Sequence, residues 1–184
     1  MDVAGLVERA RTGDVDAFTD LVQRYQAMAF GYAYATTGDF DLAEDAAQQA
    51  FISAYQNLSS LKHAERFGGW LRGIVRFECL HLLRSQRTTH VPLESLPGIV
   101  STAPDPGDVA EANEILADVL SGFANLPEAE RISATLYYIH DHSQREVAEF
   151  LNLPVTTVNN RLRSARKRLH AKGCLLYTSP SPRD

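Results

Sequence analysis

Residues 142–173, HSQREVAEFLNLPVTTVNNRLRSARKRLHAKG, concentrate the side chains best suited to reading a polyanion. Residues 155–173 carry six basic groups and no acid. Asn can bond adenine bidentately and Arg guanine, while further Arg and Lys meet phosphates. The flanking pattern supplies a platform for them. Ser143-Gln144-Arg145-Glu146 reads as a capping box, in which the Ser hydroxyl and the Glu carboxylate satisfy first-turn amides reciprocally. Val147, Ala148 and Leu151 give that helix an apolar face. Asn152-Leu153-Pro154 breaks it, and Pro154 suits the first turn of the next helix. Val158, Leu162, Ala165 and Leu169 then recur at helical spacing and dock the second helix. The spacing predicts helix, short turn, helix. Residues near the start of such a second helix usually face the bases, which assigns Thr156, Thr157, Asn159, Asn160 and Arg163 to base edges. Arg161, Arg166, Lys167 and Arg168 are placed at phosphates.

Two further constellations precede it. Asp41, Glu44, Asp45, Gln48 and Gln49 stand three and four residues apart, a polar stripe along one helix face. Residues 67–87, FGGWLRGIVRFECLHLLRSQR, interleave Phe67, Trp70 and Phe77 with Arg72, Arg76, Arg84 and Arg87. Bases stack on aromatic rings and phosphates need countercharge, so this pattern suits single-stranded nucleic acid. The same aromatic spacing also suits a helical core, and Trp70 fits either use.

Helices must carry all of this. Phe18, Leu21, Val22, Tyr25, Ala29 and Tyr32 predict one amphipathic helix, ended by Thr37-Gly38-Asp39. Residues 41–58 predict a second, with Ala47, Phe51, Ala54 and Leu58 on one face, and residues 67–83 a third, with Leu71, Ile74, Val75 and Leu82. No stretch alternates with period two, so the expected fold class is all-α. Residues 89–108 hold four prolines and two glycines without periodicity and read as a linker. The expected division is a helical domain over 1–87, a flexible linker over 88–108 and a second helical domain over 109–173. The last eleven residues, CLLYTSPSPRD, coincide with the in-frame translation of a transposase mosaic-end sequencing adapter. They are expected to be non-native, with Cys174 among them and natural sequence possible beyond Gly173.

Composition limits the function classes. The chain has 184 residues, 45% of them hydrophobic, and a net charge of -5. That average conceals segregation: residues 1–58 carry nine acids against three arginines, 62–87 six basic against two acidic groups, and 88–130 eight acids without Lys or Arg. Two basic stretches are separated by an acidic one, which is expected to shield them in the free protein. No apolar run is long enough to span a membrane, and no secretory signal is visible. With two cysteines and no disulfide framework, the cytoplasm is the expected compartment.

In this order the pieces resemble the sigma factors of bacterial RNA polymerase, of the small two-domain extracytoplasmic-function type. Glu44, Asp45, Gln48 and Phe51 resemble the region 2 helix that docks on the polymerase clamp coiled coil. Phe67, Trp70, Leu71 and Ile74 resemble the region 2 helix that handles the minus-10 element. Residues 126–166 resemble region 4, which reads the minus-35 element. The resemblance implies a promoter-specificity subunit with core RNA polymerase (clamp and flap), promoter DNA and an anti-sigma factor as partners. It implies polymerase binding by Asp41, Glu44, Asp45, Gln48 and Gln49. It implies minus-10 contacts by Ser60, Lys62, His63, Arg66, Trp70, Arg72 and Arg76, where the loop before Phe67 captures a flipped base. It implies minus-35 contacts by Thr156, Thr157, Asn159, Asn160, Arg161, Arg163, Arg166 and Lys167. Gln49 and Ala46 stand where the family usually has Glu and Leu, Leu71 where larger relatives have a second tryptophan, and Thr156 where Gly is frequent.

Other classes find less support. Asp39, Asp41, Glu44 and Asp45, or His140-Asp141-His142, lack further partners at metal-ligand spacing, and no catalytic motif appears. Neither enzyme activity nor a metal or cofactor is expected. A helix-turn-helix regulator acting without polymerase would use the C-terminal motif alone and leave residues 40–87 unexplained.

Overall fold

The computed structural model describes residues 2–89 and 122–171. The expected linker beyond Thr89, the acidic stretch as far as residue 121 and the tail at 174–184 lie outside the described residues. Among these residues every regular element is helical. The N-terminal lobe comprises α1 (Val3–Arg11), α2 (Val15–Thr37), α3 (Phe40–Gln56), two 3-10 turns (Leu58–Ser60 and Ala64–Arg66) and α4 (Phe67–Thr89). The C-terminal lobe comprises α5 (Glu128–Ala134), which widens into a π-helical turn (Thr135–Ile139), then α6 (Gln144–Leu151) and α7 (Val155–Ala171).

Aspartates start the first three helices. Asp2, Asp14 and Asp39 each accept a hydrogen bond from the amide three residues on, at Gly5, Ala17 and Leu42, which satisfies a first-turn donor. Gly38, with φ +71°, ends α2 in the left-handed region. The helix at 41–58 stops earlier than the periodicity predicts, at Gln56, because Leu58–Ser60 tightens into a 3-10 turn. The helix begun at Phe67 runs further, to Thr89. The sequence reading did not include α1, although Val3, Leu6, Val7 and Ala10 recur at helical spacing and are buried.

Small side chains bring the N-terminal helices together. Ala43, Ala46, Ala50 and Ala54 on α3 and Ala29 and Ala33 on α2 are fully buried. Phe67, Leu71, Val75 and Cys79 of α4 are likewise fully buried. Burial pushes the Cys79 thiol up to about 11, so it stays protonated and unreactive at neutral pH. In the second lobe Val147, Phe150, Leu151, Val158, Leu162 and Leu169 form the corresponding core.

The two cores are continuous, because α2 packs on both lobes. Phe150, 1% exposed, inserts its ring 6.5 Å from Tyr25 and 6.2 Å from Tyr32 between centroids. Arg131 Nε donates to Ala35 O at 2.6 Å. That carbonyl belongs to the last turn of α2, where acceptors lack intrahelical partners and a cation is favourable. His140 packs edge-on against Phe30, with centroids 6.0 Å apart.

Burial at this seam has a pH consequence. Desolvation holds the imidazoles of His140 and His142 below their ordinary value of 6.5. For His140 the neighbouring His142 adds to the lowering, whereas Glu146 and Asp141 partly offset it for His142. Both groups bind protons less readily folded than unfolded. Their contribution is therefore complete above the unfolded value and is lost as pH falls through the folded ones. The expected outcome is a lower thermal midpoint at about pH 5.5 than at about pH 7.5. The difference should shrink when both histidines are replaced by Gln, as followed by circular dichroism.

Candidate functional surfaces

The helix-turn-helix is built as its spacing predicts. Ser143 Oγ accepts from the Glu146 amide at 3.3 Å, and Glu146 Oε2 accepts from the Ser143 amide at 2.9 Å. Hydrogen bonds from Ser143 hold the Glu146 carboxyl below its usual range. Asn152 adopts φ +52°, and the Leu153 amide reaches back to Ala148 O at 2.9 Å, closing α6 with a left-handed cap. Helix α7 buries Val158, Leu162, Ala165 and Leu169. Thr156, Asn159, Asn160, Arg163, Arg166 and Lys167 are exposed, and Thr157 and Arg161 are half-buried. Positions 156, 159, 160, 163 and 167 fall on one face.

Two residues of α7 are tied inward by a group the sequence reading did not single out. Glu130 of α5, with a side chain 14% exposed, pairs with Arg168 Nε at 3.0 Å and accepts from Ser164 Oγ at 3.0 Å. Arg168, assigned from sequence to a phosphate, thus helps fix the helix on its lobe. Arg166 Nη2 also donates to Tyr138 Oη at 3.3 Å. An acid followed by an apolar run near residue 130 carries no signal that it reaches α7, some 34 positions on.

The loop between α3 and α4 is held by its backbone. Arg11, at the end of α1, donates to the carbonyls of Leu61 and Leu58. Leu58, Leu61 and Ala64 are buried, while Ser60, Lys62, His63 and Arg66 are exposed. His63 Nδ1 lies 3.5 Å from Glu65 Oε1, and Ser60 Oγ donates to Asn57 O at 2.7 Å. Trp70 is half-buried, 5.9 Å from Phe67 between centroids, and its indole lines two clefts. One, of about 620 Å³, opens toward the loop. The other, of about 530 Å³, runs between α3 and α4 past Ser53, Gly73, Ile74 and Phe77.

The three aromatics of α4 divide. Phe67 is core, fully buried, whereas Phe77 is 65% exposed and stacks on His81. Arg76 is exposed. Arg72 is half-buried, and its Nε is enclosed without a hydrogen-bond partner among the described residues. Both arginines act on Tyr32, whose hydroxyl burial holds above its ordinary value and their charge partly brings back.

The polar stripe of α3 is exposed throughout: Asp41, Glu44, Asp45, Gln48 and Gln49. Gln48 Nε2 donates to Glu44 Oε1 at 3.2 Å. The stripe continues into Ile52 and Tyr55, 51% and 46% exposed, one and two turns further on. Among the described residues no cluster of three or more potential metal ligands occurs, and no helix is long and apolar enough to cross a membrane.

Comparison with known proteins defines the class. Residues 21–89 match Sigma-70 region 2 and residues 117–169 match Sigma-70, region 4. The ECF RNA polymerase sigma factor SigW of Bacillus subtilis is 30% identical, over 89% of this chain and 92% of its own length. The ECF RNA polymerase sigma-E factor of Escherichia coli K12 is 30% identical, over 91% and 92%. Among solved structures, CnrH in complex with the cytosolic domain of CnrY gives a TM-score of 0.62 at 26% identity, covering 92% of this chain and 96% of CnrH. The chain belongs to the ECF sigma factors of RNA polymerase. It is a promoter-specificity subunit that binds core polymerase and promoter DNA.

Removing the Glu130 carboxylate leaves Ser164 without its acceptor and Arg168 without its ion-pair partner. Glu130→Ala is expected to cost about 1–3 kcal/mol, measured by urea unfolding, and to weaken duplex binding by α7 in proportion.

Proposed function

We propose that three exposed surfaces divide promoter recognition between them. The α3 stripe of Asp41, Glu44, Asp45, Gln48 and Gln49 docks on the clamp coiled coil of core polymerase, with Ile52 and Tyr55 extending the contact. Ser60, Lys62, His63 and Arg66, with Trp70, Arg72 and Arg76 of α4, take the minus-10 element. Helix α7 reads the minus-35 element through Thr156, Thr157, Asn159, Asn160 and Arg163, while Arg161, Arg166 and Lys167 meet phosphates and the lobe leans on the polymerase flap.

The observation that carries this reading is the arrangement of α7. Its apolar stripe packs on the lobe, its capped partner helix supports it, and the remaining face offers mainly amide, hydroxyl and cationic groups, with Val155 exposed at its start. That combination matches a major-groove edge. Residues 1–87 and 109–173 act as the two functional units, joined by the intervening linker, in the cytoplasm where polymerase works. The protein is non-catalytic. A regulatory protein segment binds it as the CnrY cytosolic domain binds CnrH.

In vitro transcription with core polymerase over a randomised promoter library tests the whole reading. Recovery of paired minus-10 and minus-35 elements is expected; template-independent background would overturn it. Asp45→Arg combined with Gln48→Ala should abolish holoenzyme formation in a size-exclusion assay without loss of helicity. Asn160→Ala should cost about 1–3 kcal/mol on the selected promoter and relax one minus-35 position. A uniform loss across all sequences would reassign Asn160 to the phosphate backbone.

A further inference from the structure

Four branched apolar residues lie on α7. Val158, Leu162 and Leu169 are buried in the lobe, none more than 4% exposed, whereas Val155 in the first turn is 43% exposed. A single exposed valine is ordinary on a protein surface. What sets this one apart is its place, on the leading turn of the helix that also exposes Thr156, Asn159, Asn160 and Arg163.

That first turn runs against what a helix start prefers. Valine is a weaker helix former than alanine, glutamate or lysine, because its branched Cβ restricts χ1. An acid is the favoured group at this end, where free amides present partial positive charge. The chain follows the preference elsewhere: Asp2, Asp14 and Asp39 cap α1, α2 and α3, and Glu146 sits in the first turn of α6. The first turn of α7 holds no acid. An apolar side chain without a carboxylate beside it suits a surface that is anionic at its rim and partly apolar at its floor. The major groove is such a surface, and its apolar group is the C5-methyl of thymine.

The turn is also well fixed. Pro154 O accepts from the Thr157 amide at 2.9 Å and from the Val158 amide at 3.3 Å, which sets the direction of the Val155 Cα–Cβ bond. With χ1 restricted, the side chain loses little rotamer freedom on contact. Asn159 stands one turn further along the same edge of the helix. Four residues advance about 6 Å along the axis, close to two steps of a duplex rising about 3.4 Å per pair. Thr156 and Thr157 each carry a methyl too, but beside a hydroxyl that must be satisfied when water is displaced. Valine brings the apolar contact alone.

We propose that Val155 is a specificity-determining residue of the minus-35 contact, and that it reads the C5-methyl of one thymine within about two base pairs of the position read by Asn159. The inference rests on the assignment of α7 to the minus-35 element. It adds an apolar base contact to a set of amide, hydroxyl and cationic ones. Because Asn suits adenine, Val155 and Asn159 together select A·T pairs within the element.

The test uses holoenzyme formed by the full chain with core polymerase, on the promoter selected from the randomised library. Each thymine of the minus-35 element, on either strand, is replaced in turn by deoxyuridine, which removes only the methyl. Wild type is expected to lose affinity about 4-fold at one thymine, the effect of burying one methyl group. Val155→Ala is expected to bind the thymine and uracil promoters alike at that position, at the level wild type shows on uracil. Alanine is the better helix former, so unfolding of α7 does not account for such a loss. At every other thymine the two proteins should respond to uracil equally. A selected minus-35 element without thymine, or a wild type indifferent to uracil throughout, would overturn the proposal. Full uracil sensitivity retained in Val155→Ala would also overturn it and give the methyl contact to a threonine. Failure of the α7 reading looks different: selected promoters with no minus-35 preference of any kind, in wild type and Asn160→Ala alike, would overturn that assignment and this proposal together.

Discussion

How closely other helices can approach α2 governs the architecture. This helix is about 35 Å long at 1.5 Å per residue, and it meets α1, α3 and α4 along one side and α5 and the π-helical turn along another. Alanines at 29 and 33 are fully buried along the helix. Tyr25 and Tyr32 make the slot for Phe150, and Gly31 leaves room for His140. Even the last turn of α2 depends on the other lobe, because Arg131 supplies the donor that the Ala35 carbonyl lacks within the helix. A core spanning both lobes therefore forms around one element whose side chains differ in size by position.

Charge is distributed to suit this arrangement. The acids of α3 and the bases of α7 point outward from different lobes, so neither neutralises the other within the fold. Arg131 behaves differently: it donates to the Ala35 carbonyl at the end of α2 rather than lying wholly in solvent. A net charge of -5 thus says little about nucleic-acid affinity, which depends on where cations are exposed.

Much of the fold was legible from local pattern, and the limits follow the range of the interactions. The capping box at Ser143–Glu146, the break at Asn152 and the buried stripe of α7 are all set by neighbours within a turn or two, so spacing alone finds them. The exposed stripe of α3 follows for the same reason. The anchoring of Arg168 by Glu130, the hold of Arg11 on residues 58 and 61, and the seat of His140 on Gly31 join positions far apart in sequence. Nothing local encodes those pairings. Phe67, Trp70 and Phe77 illustrate the intermediate case: helical spacing places all three on one helix, but only its packing decides that the first is core, the second shared and the third exposed. Helix α1 was missed although its apolar spacing is regular, because nine residues with a single aspartate cap give a short signal.

The way Arg11 grips its loop has a consequence for how such proteins diversify. It bonds to main-chain oxygens at Leu58 and Leu61, which every amino acid possesses, while buried leucines pin the same segment from below. The loop's shape is thereby uncoupled from the identity of Ser60, Lys62, His63 and Arg66. Those four positions can be exchanged for other chemistry without refolding the segment that displays them. A scaffold of this kind can acquire a new preference for DNA by surface substitution alone.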